Sequence, residues 1–237
     1  MKFKKNLKKS KGLKSSKRTL ITTINPRSPI SEQYRTIRTN IQFSMIDDSF
    51  KILACTSPSP GEGKSTTIAN LAVTFAGQGQ KVLLVDADLR KPTIHRIMEV
   101  SNRKGLTTLI TKKSSVKEAI SSTKINNLHV LSSGPIPPNP SELLGSKMMK
   151  DVIESLSEKY DLILFDTPPV LAVTDAQVLG NRCDGVILVI SSGETEKKNL
   201  VKAKELLDRA QVKVIGTIIN GADEKSANYN YYYGEDL

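Results

Sequence analysis

Lys51-Ile52-Leu53-Ala54-Cys55, an apolar run, breaks into Thr56-Ser57-Pro58-Ser59-Pro60-Gly61-Glu62-Gly63-Lys64-Ser65-Thr66, and a helix-forming run follows as far as Ala76. A strand that ends in small, turn-prone residues and passes into a helix aims backbone N–H groups at one point, where a phosphate is held. The loop matches the phosphate-loop pattern at Gly63-Lys64-Ser65 and carries Pro58 where the first Gly is expected. Pro60, Gly61, Glu62, Gly63, Lys64, Ser65 and Thr66 are therefore expected around the phosphates of a nucleotide. In that arrangement Lys64 reaches the β/γ oxygens and the Ser65 hydroxyl ligates Mg²⁺. A plain Gly/Pro turn before a helix is the alternative, and it leaves the strand, loop and helix order unexplained.

Working outward, Val82–Val85, Leu128–Leu131, Leu162–Phe165, Val186–Ile190 and Val214–Ile219 join Lys51–Cys55 as expected strands. They are continuously apolar and do not alternate, so both faces of their sheet need covering, which means parallel strands under helices. Ser65–Ala76, Ser141–Tyr160 and Glu194–Ala210 have helical length and periodicity. The fold class is α/β: a single doubly wound, mostly parallel sheet flanked by helices, like that of P-loop NTPases.

Two acidic stretches fall at strand ends, where open α/β sheets bind ligands. Val82–Val85 runs into Asp86-Ala87-Asp88-Leu89-Arg90-Lys91-Pro92, and Leu162–Phe165 runs into Asp166-Thr167-Pro168-Pro169. Three carboxylates facing a phosphate loop repel the nucleotide unless a cation lies between them, so Mg²⁺ is implied. A strand-end Asp also caps turns, which accounts for any one of these residues singly but poorly for the set. Arg90 and Lys91 either neutralise a transferring phosphate or form a solvated charged pair.

The chain has 237 residues with 38% apolar residues, enough for a real core, so disorder of the whole chain is excluded. The formal charge of +11 belongs to a tail, because residues 1–18 hold nine Lys/Arg and no acid. The rest of the chain is nearly balanced, which argues against a nucleic-acid groove across the domain, while the tail suits an anionic membrane surface, nucleic acid or an acidic partner, or is equally a solvated disordered segment. No apolar run approaches the roughly 20 residues of a membrane span and no secretory signal is evident, so a cytoplasmic location is expected. Cys55 and Cys183 lack a metal-like spacing, which leaves an iron–sulfur role without ligands. The expected division is a basic disordered tail over 1–20, a P-loop domain over 21–222 that opens with a helix, and a flexible tyrosine-rich tail over 223–237.

Taken together, Ser59-Pro-Gly-Glu-Gly-Lys-Ser65, Val85-Asp-Ala-Asp-Leu-Arg-Lys-Pro92, Pro137-Pro-Asn-Pro-Ser-Glu-Leu-Leu144 and Phe165-Asp-Thr-Pro-Pro169 resemble the bacterial tyrosine autokinases of capsule and exopolysaccharide synthesis. The resemblance covers residues 28–237. Deviant P-loop ATPases that position chromosomes and division septa share the layout, but they place a Lys where this chain has Ser59. The resemblance implies a Mg·ATP-dependent protein-tyrosine kinase with Lys64, Asp86 and Asp88 catalytic, Asp86 first choice as proton acceptor, and the assignment within that pair open. Ser65, Asp88 and Asp166 would hold Mg²⁺. Asn220, ending the strand Val214–Ile219, stands where related ATPases contact adenine, and Asn220-Gly221 is equally a turn.

Four of the six tyrosines, Tyr229, Tyr231, Tyr232 and Tyr233, crowd into the last nine residues among Asn, Gly and acids. Aromatic side chains placed in a polar, turn-rich terminus suit no core, and the resemblance implies that they accept phosphate. Tyrosines of other proteins are further implied substrates. Ile30, Tyr34, Ile37, Ile41 and Met45 recur at helical spacing after Pro29, which predicts an amphipathic helix. Glu32, Arg35 and Arg38 lie on its flank and resemble the family's self-association motif, which implies a ring-like homo-oligomer. A membrane-spanning adaptor with an activating cytoplasmic segment is implied as well, and with it a place at the inner face of the cell membrane.

Overall fold

A computed structural model of the chain describes residues 20–44 and 50–222. Residues 1–19 of the predicted basic tail, the whole predicted tyrosine-rich tail with Tyr229, Tyr231, Tyr232 and Tyr233, and Met45 of the predicted seam lie outside the described residues, whereas Leu20 packs against the core. The strands are β1 (Ile52–Thr56), β2 (Val82–Asp86), β3 (Ile120–Ser122), β4 (Leu128–Leu131), β5 (Leu162–Asp166), β6 (Gly185–Ser191) and β7 (Val214–Asn220). They form one sheet in the order β3-β4-β2-β5-β1-β6-β7. Every pairing is parallel except that of β3 with β4. All six expected strands form within a residue of their predicted ends. The added strand, β3, is three residues of Ile-Ser-Ser on the edge, too short and polar to stand out in sequence.

Each face of the sheet buries its own core. One contains Ile68, Leu71 and Phe75 of the helix Lys64–Ala76 with Ile94 and Ile97, packed against Leu53, Leu84 and Leu164. The other packs Leu106, Leu144, Met149, Ile153, Leu179 and Leu207 against Leu83, Val85, Ile163 and Phe165. Continuous apolar strands are the sequence trace of this two-sided burial.

The expected helix over Ser141–Tyr160 is two helices, Pro140–Gly145 and Lys147–Ser157. Ser146 is extended, and its hydroxyl accepts from the Met149 N–H at 3.2 Å, so it caps the second helix and breaks the first. Lys197–Arg209 is shorter than the expected Glu194–Ala210.

The helix Pro29–Phe43 starts with Pro29 in its first turn and Ser28 as cap, accepting from the Ser31 N–H at 3.1 Å. Tyr34, Ile37 and Ile41 pack against the body as expected. Ile30 does not: it is 50% exposed, and buried Ser31 takes the inward place, its hydroxyl donating to the Asn25 carbonyl at 2.7 Å. Of the expected flank, Glu32 is exposed and pairs with Arg35, which also donates to the Pro26 carbonyl. Arg38 departs from the expected free flank. It is partly buried and donates to the Thr74 carbonyl at 3.1 Å, in the last turn of the helix Lys64–Ala76, where carbonyls lack intrahelical partners.

Candidate active site

The loop that follows β1 turns into the helix Lys64–Ala76 through Gly61 and Gly63, at φ 89° and 91°. Gly63 is required on two counts. Its φ lies in the left-handed region, and a Cβ there would come 2.2 Å from Asn220 Nδ2. Lys64, Ser65 and Thr66 occupy the first turn, where backbone N–H groups have no intrahelical carbonyl to bond. Asn220, at the end of β7, donates its amide to the Glu62 carbonyl at 3.2 Å and so lies directly against the loop. The Glu62 side chain is buried and braces the same turn. It accepts from the Ser59 N–H at 2.9 Å and from the Thr195 hydroxyl at 2.6 Å. Nothing in the sequence around Thr195 signals that role.

The carboxylates converge as the strand ends do. Asp86 and Asp166 are register partners on β2 and β5, and Cys55 of β1 is the next partner of Asp166. The Lys64 ammonium lies 3.3 Å from Asp88 Oδ2, 3.4 Å from Asp166 Oδ1 and 3.2 Å from Ser65 Oγ. Burial alone would lower Lys64, but the charges of Asp166 and Asp88 outweigh it and hold the ammonium above its ordinary range. Burial pushes the Asp166 carboxyl up, against the opposing charge of Lys64 and a hydrogen bond from Ser65.

Asp86 is fully buried, and burial followed by the charge of Asp166 pushes its carboxyl up to about 8. Its Oδ2 accepts from the Thr93 and Ile94 N–H groups, each at 2.9 Å, and so caps the short helix Ile94–Ile97. Its Oδ1 has no hydrogen-bond partner, and neither has Asp166 Oδ2. Asp88 is engaged at both oxygens, by Lys64 and by the Lys91 N–H at 3.0 Å. Among the described residues no three His, Cys, Asp or Glu side chains converge as a metal cage. Mg²⁺ takes one or two carboxylates and completes its shell with phosphate and water. Orphaned buried oxygen on Asp166 beside the Ser65 hydroxyl fits such a hard cation.

Arg90 is committed to other partners. Its Nε and Nη2 fork onto Asp175 Oδ2 and Oδ1 at 2.9 and 3.0 Å, and Nη2 reaches Ser141 Oγ at 3.1 Å. Ser141 donates in turn to Asp175, which is wholly buried. Two stretches singled out separately in the sequence, Val85–Pro92 and Pro137–Leu144, are thus tied by one cluster, and Asp175 is the member that sequence reasoning missed.

Residues 50–212 match the family described as the AAA domain. The tyrosine-protein kinase YwqD of Bacillus subtilis is 53% identical over 231 residues, which cover 97% of each chain. The chain belongs to the bacterial tyrosine-protein kinases of capsule and exopolysaccharide synthesis. Among solved structures, the kinase domain of the Escherichia coli tyrosine kinase ETK superposes with a TM-score of 0.84 at 35% identity, covering 91% of this chain and 84% of that one. The septum site-determining protein MinD of Pyrococcus horikoshii, in complex with Mg-ADP, matches at a TM-score of 0.62 and 28% identity over 74% and 72% of the two chains. The kinase is therefore built on the P-loop ATPase fold, and the tyrosine kinases resemble it more closely than the positioning ATPases do.

Proposed function

We propose that this kinase transfers the γ-phosphoryl group of Mg·ATP to Tyr229, Tyr231, Tyr232 and Tyr233 of a neighbouring subunit in a ring-like homo-oligomer. The observation that carries the reading is the placement of the Lys64 ammonium between Asp88, Asp166 and Ser65 at the first turn of the helix Lys64–Ala76. Lys64 there meets the β/γ-phosphates, and the free N–H groups of the first turn hold their oxygens. Ser65, Asp88 and Asp166 would hold Mg²⁺, which when bound neutralises phosphate charge. Asn220 braces the loop and lines the edge of the nucleotide site where the base would lie.

A tyrosine hydroxyl, with a pKa near ~10, is un-ionised at neutral pH and needs a proton acceptor. Asp86 Oδ1, left without a partner while Oδ2 carries the helix cap, takes that proton when the carboxyl is ionised, a fraction that rises with pH across neutrality because the group lies near about 8. Asp88 has no such free oxygen. The tyrosine oxygen then bonds to the γ-phosphorus as the bond to the leaving oxygen of ADP breaks, and the proton passes to Asp86.

In this reading the exposed Glu32 and Arg35 mark the subunit contact, and a membrane-spanning adaptor activates the kinase at the inner face of the cell membrane. The basic tail adds attraction to anionic lipid, and tyrosines of other proteins are further substrates. The output is control of capsule or exopolysaccharide synthesis. No helix among the described residues is long and apolar enough to cross a membrane, in keeping with recruitment by a partner. The test incubates purified protein with Mg·ATP, with and without the cytoplasmic segment of an adaptor, and maps phosphate by mass spectrometry. Phosphate on the four tail tyrosines that vanishes in Lys64→Met supports the reading; labelling that survives the substitution sinks it.

A further inference from the structure

Glu62 puts a carboxylate, 4% exposed, inside a loop built to receive a polyanion. Such a group repels phosphate and is costly to bury unless its oxygens are bonded. Both are: Oε2 accepts from the Ser59 N–H at 2.9 Å, and Oε1 accepts from the Thr195 hydroxyl at 2.6 Å. The first bond closes the loop on itself. The second reaches out of it, to the turn over residues 191–195 at the end of β6.

That turn is locked from within. The Thr195 N–H donates to the Ser191 carbonyl at 3.0 Å, and the Ser191 hydroxyl donates to the Glu194 carboxylate at 3.0 Å. The Ser191 N–H donates to the Thr195 hydroxyl oxygen at 2.8 Å, which orients that hydroxyl and leaves its one proton for Glu62. The turn is tied to β7 as well, through the Ser192 N–H and the Asn220 carbonyl at 2.8 Å, and the Asn220 amide returns to the Glu62 carbonyl at 3.2 Å. A closed ring therefore runs from Glu62 through Thr195, residues 191–192 and Asn220 back to Glu62, holding that residue by side chain and main chain at once. Gly61, next in the loop, has nothing within 4 Å of where a Cβ would stand, so the loop has room to shift once the ring is cut.

We propose that Thr195 is a positioning residue for the nucleotide: its hydroxyl keeps the Glu62 carboxylate committed to the protein and so keeps the peptide groups from Gly61 to Lys64 arranged for the phosphates. Its proton is spent on Glu62, so it acts through that residue and not by donating to the nucleotide. The proposal rests on the reading of this site as a Mg·ATP site. It adds a determinant of nucleotide affinity that lies outside the phosphate loop, in the turn at the end of β6, and works by preorganisation.

Thr195→Val in the full chain keeps the shape of the side chain and removes the donor. Titration calorimetry should show the Kd for Mg·ATP raised about tenfold, the worth of one hydrogen bond to a charged group, and that for Mg·ADP raised by the same factor. The rate of phosphate incorporation at saturating Mg·ATP should stay within about twofold of wild type, because Lys64, Asp86 and Asp88 are untouched. Thr195→Ala should behave as Thr195→Val does and carries the test where the valine variant does not fold. Thr195→Ser restores the hydroxyl and should bring Kd back to within about threefold of wild type. In a Glu62→Gln background the Thr195→Val change should cost about threefold or less, because the atom left without a partner then belongs to a neutral amide. Wild-type Kd in both Thr195→Val and Thr195→Ala overturns the proposal, as does a Thr195→Ser protein as weak as either, a saturating rate that falls along with affinity, or an equal loss in the Glu62→Gln background. A wild type that binds no Mg·ATP refutes the nucleotide reading itself, and the role of Thr195 falls with it.

Discussion

Arg90→Ala separates a structural tie from a phosphate contact. In the wild type the guanidinium forks onto both oxygens of Asp175 at 2.9 and 3.0 Å, with the Asp175 side chain 0% exposed and that of Arg90 39% exposed. Removing one partner of a buried pair costs roughly 3–5 kcal/mol, because the remaining charge stays desolvated. Water reaches the Arg90 side of this pair and Ser141 still donates to Asp175, so about 2 kcal/mol is the better figure. For a chain of this size each kcal/mol lowers Tm by about 2–4 °C, giving a drop of about 4–8 °C by thermal unfolding.

Arg90→Ala/Asp175→Ala removes the stranded carboxylate as well and should recover about half of that loss, the signature of coupling between the two sites. Arg90→Lys keeps a charge but loses the planar fork and should fall between wild type and Arg90→Ala. Nucleotide affinity should be unchanged in all of them, since the guanidinium is committed to Asp175 and Ser141. An Arg90→Ala protein with wild-type Tm and weakened nucleotide binding would return Arg90 to the phosphates and refute the argument.

Gly63→Ala should weaken nucleotide binding at least tenfold and lower Tm, because left-handed φ costs a side chain about 1–2 kcal/mol and the Asn220 amide fills the space; titration with a fluorescent ATP analogue reads it, and wild-type affinity would mean the loop yields. Asp86→Asn retains an acceptor for the Thr93 and Ile94 N–H groups but loses the proton site, so single-turnover transfer should fall by ~10²–10⁴-fold with little change in fold; unaltered transfer would move the base role to Asp88. Glu32→Ala/Arg35→Ala should lower the mass measured by light scattering with the fold intact, since exposed pairs contribute little to folding but fix register between subunits. A variant that keeps the wild-type mass makes this pair merely solvated charge.

Much of the architecture was legible because it depends on local chemistry repeated along the chain. Continuous apolar runs marked β1, β2, β4, β5, β6 and β7, and the Pro/Gly loop before Lys64 announced a helix N-terminus. What stayed hidden depends on partners far apart in sequence. Arg90 read as a phosphate ligand or a solvated charge until Asp175, 85 residues away, supplied its fork. The bracing of the loop by Thr195 spans 133 residues and has no local trace. Ile30 failed for a nearer reason. Periodicity counts apolar residues, whereas the buried place went to Ser31, a polar residue whose hydroxyl satisfies a loop carbonyl.

The convergence of the three aspartates follows from strand parity. Val82 and Leu84 belong to the core under the helix Lys64–Ala76, while Leu83 and Val85 belong to the opposite core. Alternation at period two then sends Asp86 and Asp88 to the face that carries that helix, and Ala87 and Leu89 to the other, where both are found fully buried. On β5 the same count places Leu162, Leu164 and Asp166 together, and on β1 it places Leu53 and Cys55 beneath the loop that leads to Lys64. The Ala87 N–H donates to the Asp166 carbonyl at 2.8 Å, so the register of β2 on β5 persists one residue past the strand and holds this parity at the site. A strand buried on both faces is apolar at every position, and its parity cannot be read from composition. It becomes visible only where the strand leaves the core, at Asp86-Ala87-Asp88-Leu89, where polar and apolar residues begin to alternate and the carboxylates face the phosphate loop.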